Sequence, residues 1–354
     1  MIKRTKVKEI FLSDFFFSCS SVLIGLFIGF LIMLLTNPAQ SIAGILTILF
    51  SPMINLRDIE QVLNIAPSII LTGLSVCFAN KIGLFNIGSS GQFILGAYFA
   101  VWCGVKINFI NNSLHFVLAI LLSIIFGAFC GSIPGILKAF YNVNEVISSI
   151  MINYISMYLV NFMIKKNIFD VTKNHSKKIL DSAVTPKLMI DNFFFGSSVN
   201  LNIFISIVAA VVIYIILEKT LFGFEIKTCG FNHYVARYIG INEKKILILT
   251  MTISGALSGL GGGLLYLSNT GNNLQVIDSL AQEGFTGISV ALLASNDPIV
   301  IIFSGLFIAY LIVGGFNTQI YNFAPQLIEI ITAIIIYSST FIFLIKKYFS
   351  KNKK

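Results

Sequence analysis

Uninterrupted apolar runs of membrane-crossing length constrain this chain more than any other feature. They fall near residues 11–36, 61–79, 92–105, 114–137, 146–164, 201–218, 246–267, 284–296, 299–315 and 324–345. A helix needs about 20 residues to cross the hydrocarbon layer. Backbone in lipid must satisfy its own hydrogen bonds, which leaves helices or a closed barrel. Barrel strands would alternate apolar and polar residues, whereas these runs are continuous. Only 11% of the 354 residues are charged, against about a quarter in a soluble domain. The expectation is an all-α, polytopic transmembrane helical bundle of about ten spans, with residues 1–354 forming one transmembrane domain surrounded by lipid.

The formal net charge of +9 is sorted by position. Basic residues gather at the start (Lys3, Arg4, Lys6, Lys8), within 219–245 (Lys219, Lys227, Arg237, Lys244, Lys245) and at the end (Lys346, Lys347, Lys351, Lys353, Lys354). Short basic segments stay on the cytoplasmic side. An even number of spans places both termini and the 219–245 loop there, in the cell membrane, and the charge therefore does not imply a nucleic-acid partner. One loop departs from the rule. Residues 165–199 carry six lysines yet fall outside, where a longer connector contributes weakly to orientation. It reads as a solvated connector or as a docking surface.

Catalytic chemistry is not visible. Cys19, Cys77, Cys103, Cys130 and Cys229 are scattered, and His115, His175 and His233 are isolated, so neither a metal site nor a disulfide framework is expected. No nucleotide-binding loop, zinc-protease motif or nucleophile elbow occurs. The chain reads as a non-enzyme without a cofactor. Membrane-embedded acids that could relay protons are scarce: Glu329 lies inside the last run, and Asp14, Glu145, Glu218 and Glu283 lie near run ends. The apolar stretch 15–36 is too long for a signal peptide, so it reads as a retained first helix.

Two runs, 92–105 and 284–296, are too short to cross alone, and each follows a glycine-rich polar stretch, "GLFNIGSSGQ" and "QEGFTGIS". Each reads as half of a broken membrane segment. Rough echoes relate two halves, about 61–164 and 246–345, and paired breaks in corresponding positions point to a binding site in transporters. Gly127, Gly131 and Gly135 share one helix face, as do Gly255, Gly259 and Gly263, and small residues spaced by four allow close helix approach. Pro134 is placed to kink its helix. In the loop "GFNHYVARYIGI", Asn232 suits a helix N-cap and Gly240 a stop. Such a helix either docks on a soluble partner or lies at the membrane interface.

Taken in order, "ILTGLSVCFANKIGLFNIGSSGQ", "IPGILKAFYNVNEVISSIMINYI", "GFEIKTCGFNHYVARYIGI", "ISGALSGLGG" and "GFTGISVALLASN" resemble the integral-membrane permease subunits of bacterial ABC importers. The superfamily is that of branched-chain amino acid and sugar permeases, and the likeness is to its nucleoside (simple-sugar-like) branch. The resemblance implies import of a nucleoside or related neutral solute, driven by separate ABC ATPase subunits. It also implies a second permease subunit, either a sister chain or a copy, and an extracytoplasmic solute-binding protein. The family's G-x-N-x-x-A-x-x-x-G segment matches Gly230, Asn232, Ala236 and Gly240, with Arg237 and Tyr238 between, and is expected to couple to the ATPase. The two breaks imply pathway residues Phe85, Asn86, Ser89, Ser90, Gln92, Phe285 and Thr286. Their side chains either contact solute or cap broken helices.

Two positions depart from the family pattern. Ser90 stands where the first break usually carries Glu, and Thr286 where the second usually carries Asp. Both keep hydrogen-bonding ability and lose charge, which leaves open a sugar or branched-chain amino acid permease of the same superfamily. Competing readings outside it are an ion-coupled secondary carrier and a non-transport scaffold or receptor component.

Overall fold

The computed structural model describes residues 20–107, 112–186, 200–268, 273–324 and most of 326–338. The basic clusters at both termini, Cys19, and the outer parts of the first and last apolar runs lie outside these residues. The fold is a helical membrane bundle. In chain order the helices are α1 (Ser20–Thr36), α2 (Ser41–Ile54), α3 (Leu56–Asn80), α4 (Ser89–Lys106), α5 (Asn112–Tyr141), α6 (Glu145–Asn167), α7 (Asn202–Lys219), α8 (Leu221–Phe231), α9 (His233–Tyr238), α10 (Glu243–Leu267), α11 (Gln282–Leu293) and α12 (Pro298–Asn317). The described residues of 326–338 are helical as well. A two-residue antiparallel pair, β1 (Phe169–Asp170) with β2 (His175–Ser176), closes the loop after α6.

Six helices among the described residues are long and apolar enough to cross a membrane: α3, α5, α6, α7, α10 and the helix that begins at Pro298. The short helix α2 is not among the runs expected from the sequence. It packs along the last turns of α12 and beside the start of α3. Ile48 packs on Gly314 there, and Asn317 Nδ2 donates to Asp58 Oδ2 at 2.8 Å.

Helices α3 and α10 form the centre. Most of α3 is buried, from Ala66 through Ala79 without interruption. The two glycine stripes face one another across the α5–α10 contact. A side chain at Gly255 would lie 2.4 Å from the Gly127 carbonyl oxygen, and one at Gly131 would lie 2.6 Å from that of Met251. Gly259 serves two neighbours, because Gly96 of α4 and Gly127 of α5 both meet its Cα closer than 2.7 Å at the Cβ position. Gly263 faces Ser123, and Gly135 faces Met251 and Ile248. With lipid as apolar as leucine, such backbone-to-backbone packing supplies helix association in a membrane. Pro134 sits inside a continuous α5.

Candidate functional site: a polar break and an exposed short helix

The first break begins where α3 ends at Asn80, runs through Lys81–Gly88 and restarts as α4 at Ser89. Breaking a helix frees backbone donors that lipid cannot satisfy, and the neighbouring side chains take them up. Asn153 of α6 spans the break: its Oδ1 accepts the Gly91 N–H at 2.8 Å, and its Nδ2 donates to the Ile87 carbonyl at 3.0 Å. Ser258 of α10 donates to the Ser89 carbonyl at 2.6 Å.

Asn86 and Gln92 form the centre of this region, both fully buried. Asn86 Nδ2 donates to Gln92 Oε1 at 2.8 Å and reaches Ser254 Oγ at 2.7 Å and Ser75 Oγ at 3.1 Å. Gln92 Nε2 returns a bond to Asn86 Oδ1 at 3.1 Å. Ser254 Oγ donates to the Ser75 carbonyl at 2.7 Å, which leaves its lone pairs for Asn86 and for the Ser75 hydroxyl 3.0 Å away. Asn86 and Gln92 thus exchange a reciprocal pair of amide bonds, backed by the two serine hydroxyls. A network of this kind rigidifies its surroundings, and removing one member strands the rest.

The second glycine-rich stretch, expected as a break, is helical and forms the first two turns of α11, and the first break meets it. Ser89 Oγ donates to the Gly284 carbonyl and Ser90 Oγ to the Ala281 carbonyl, both at 2.8 Å. Gly284 lies so close that a side chain there would sit 2.4 Å from the Ser90 Cα. Gly287, one turn on, presses against Thr72 of α3. The starts of α4 and α11 therefore abut, and the four buried candidates Asn86, Ser89, Ser90 and Gln92 spend their hydrogen bonds on protein. Phe85 and Thr286 are half-buried, and Phe285 is the most open of the seven. The Thr286 hydroxyl donates to the Glu283 carbonyl of its own helix at 3.0 Å. Sequence reasoning did not find Asn153, Ser75, Ser254 or Ser258. Each lies in an otherwise apolar helix, and only the folded pairing gives it a partner.

The second group lies at the end of the bundle where α3 stops and α10 begins. Asn232 adopts extended backbone and caps α9, its Oδ1 accepting the Tyr234 N–H at 2.9 Å. Gly240 takes a φ of +83° and ends the helix. Its N–H bonds to the Arg237 carbonyl and the Ile241 N–H bonds to the Ala236 carbonyl, the paired bonds of a Schellman stop. Ala236 is fully buried, while Phe231 and Tyr238 are each 92% exposed and Tyr234 is 82% exposed. Val235 and Ile239 extend this patch. Arg237 Nε donates to Glu243 Oε2 at 2.7 Å, and His233 pairs with the other oxygen of the same carboxylate at 2.9 Å, which ties α9 to the first turn of α10. Gly230 at the end of α8 connects the two groups: a side chain there would lie 2.3 Å from the Lys81 carbonyl oxygen, at the edge of the first break.

Residues 58–340 match the family model described as branched-chain amino acid transport system / permease component. The chain is 36% identical to the nucleoside ABC transporter permease NupB of Lactococcus lactis, covering 94% of this chain and 92% of the relative. It is 34% identical to the guanosine ABC transporter permease NupP of Bacillus subtilis, covering 89% and 90%. A third relative, the glucose ABC transporter permease TsgB13 of Haloferax volcanii, is 31% identical over 83% of this chain and 77% of its own. A bundle of apolar helices with a polar break seated against the start of α11, matched over most of its length, thus belongs to the family of branched-chain amino acid transport system permease components.

Proposed function

We propose that the chain is the transmembrane permease subunit of an ABC importer for a nucleoside or a related neutral solute, in a bacterial cell (inner) membrane. ATP hydrolysis resides on separate ATPase subunits, a second permease completes the conduit, and an extracytoplasmic solute-binding protein delivers the solute. The observation that carries this reading is the exposed aromatic surface of Phe231, Tyr234 and Tyr238 on a capped, ion-paired helix. Exposed aromatics clustered on a rigid element favour a protein partner. Gly230, Asn232, Ala236, Arg237, Tyr238 and Gly240 form or support that surface and are assigned to ATPase coupling.

The topology follows the same frame. Ten crossings are formed by α1, α3, α4, α5, α6, α7, α10, α11, α12 and the last segment, with α2 too short to count among them and both termini cytoplasmic. Gly230, Glu243 and Asn80 share the basic end of the bundle, which supports this sidedness. Residues 61–164 and 246–345 are two weakly repeated halves, each contributing one glycine-rich polar stretch. Phe85, Phe285 and Thr286 are assigned to the border of the solute pathway, and the buried Asn86, Ser89, Ser90 and Gln92 to the polar frame that holds the broken helix behind it. Apart from Lys81 at the edge of the first break and Glu283 in the first turn of α11, the groups in these two regions are uncharged hydrogen-bonding side chains, which favours a neutral cargo over an amino acid carboxylate.

Uptake of labelled guanosine into cells carrying the full transporter, challenged with unlabelled uridine, glucose and leucine, tests the substrate. Saturable guanosine uptake blocked by uridine is expected. Saturable leucine or glucose uptake without guanosine uptake would replace the nucleoside with another solute of the superfamily. Uptake by the purified chain alone under an ion gradient would overturn the importer reading.

A further inference from the structure

Helix α9 has six residues, too few to hold itself helical in water. Its caps fix where it starts and stops, and one carboxylate fixes where it points. His233 and Arg237 are four residues apart and share a face of the helix. His233 Nδ1 lies 2.9 Å from Glu243 Oε1, and Arg237 Nε donates to Glu243 Oε2 at 2.7 Å. Two attachments set an orientation, whereas one would leave a pivot. The Glu243 side chain is only 13% exposed, so these bonds are not made in open water, where ion pairs contribute little. Glu243 is also the first residue of α10, where the positive end of the helix dipole favours an acid.

The same face of α10 leads to the first break. Ser254 follows Glu243 by about three turns and Ser258 by about four, which places them about 17 Å and 22 Å along the axis on nearly the same side of the helix. Ser254 donates to the Ser75 carbonyl and accepts from Asn86, and Ser258 donates to the Ser89 carbonyl. Helix α10 is therefore tied to α9 at its first residue and to both sides of the break further along.

We propose that Glu243 is the positioning residue that makes α9 and α10 move as one body, so that a displacement of α9 by the ATPase reaches Asn86 and Ser89 through Ser254 and Ser258. On this assignment Arg237 acts inward, on Glu243, rather than on the ATPase itself. The assignment rests on the importer reading above.

The test uses the assembled transporter, permeases and ATPases together, in proteoliposomes supplied with the solute-binding protein and guanosine. Glu243→Gln keeps the shape of the side chain and removes its charge. In complexes that still hold their ATPases, guanosine moved per ATP hydrolysed should fall about tenfold. Arg237→Gln should cause a similar fall, and the double variant no more than either alone, because both changes break one contact. Ser258→Ala should likewise add little to Glu243→Gln, the non-additivity expected of two points on one route. An unchanged ratio in Glu243→Gln would overturn the inference. Losses that multiply in the Arg237→Gln, Glu243→Gln double variant would place Arg237 on the ATPase and overturn it equally. Fewer assembled complexes, each with an unchanged ratio, would leave Glu243 a structural role alone and also overturn it. Failure of the unaltered chain to capture any ATPase would bring down the importer reading, and the inference with it.

Discussion

The polar break around Asn86 and the short helix around Tyr238 are built on opposite plans. In the break, polar side chains are buried and bonded to one another and to backbone. At the short helix, apolar rings stand in the open and the polar groups serve to hold the backbone still. The first arrangement obtains stability from hydrogen bonds in a place without water. The second leaves apolar surface uncovered on a rigid frame, a poor arrangement for an isolated chain and a good one for a partner. Stability and partner binding should therefore separate between the two regions under mutation.

The largest loss of stability is expected from Gly284→Ala. Its new methyl group would meet Ser90 backbone rather than a side chain that can move, and such overpacking costs about 3 kcal/mol. Thermal unfolding in detergent should show it as the steepest fall in Tm. Asn86→Ala should follow at about 2 kcal/mol, because Gln92, Ser75 and Ser254 lose a buried partner. An unchanged Tm for Asn86→Ala would mean that water enters the break, and would undo the contrast. Asn232→Ala should cost about 1 kcal/mol and act locally, measured as faster hydrogen exchange of the Tyr234 and Val235 amides. Tyr238→Ala should change stability by less than about 0.5 kcal/mol. Its effect belongs to association: loss of a central aromatic contact weakens ATPase capture by about thirtyfold, and solute-stimulated hydrolysis falls with it. Full ATPase capture by a Tyr234→Ala, Tyr238→Ala double variant would remove the partner surface from α9.

Local signals carried much of this structure. The continuous runs specify helices in lipid, Asn232 and Gly240 mark the ends of a helix by cap chemistry, and the first glycine-rich stretch marks a break, whereas the second is the helical start of α11. The rest depends on pairing between distant segments. That Ser89 and Ser90 turn to the start of α11, or that Asn153 answers the break, follows from helices brought together across long separations in sequence. Helix α2 was invisible because a 14-residue apolar helix is too short to count as a span. Exposure was equally hidden: Phe231 and Tyr234 read as ordinary apolar residues until the fold left them uncovered.

The meeting of Gly230 with the Lys81 carbonyl has a mechanical consequence. A side chain between two elements can switch rotamer and absorb a displacement before it travels further. Bare backbone against bare backbone has no such cushion. When the Gly230 end of α8 is pushed or drawn, the edge of the break travels with it, and the stroke arrives undiminished.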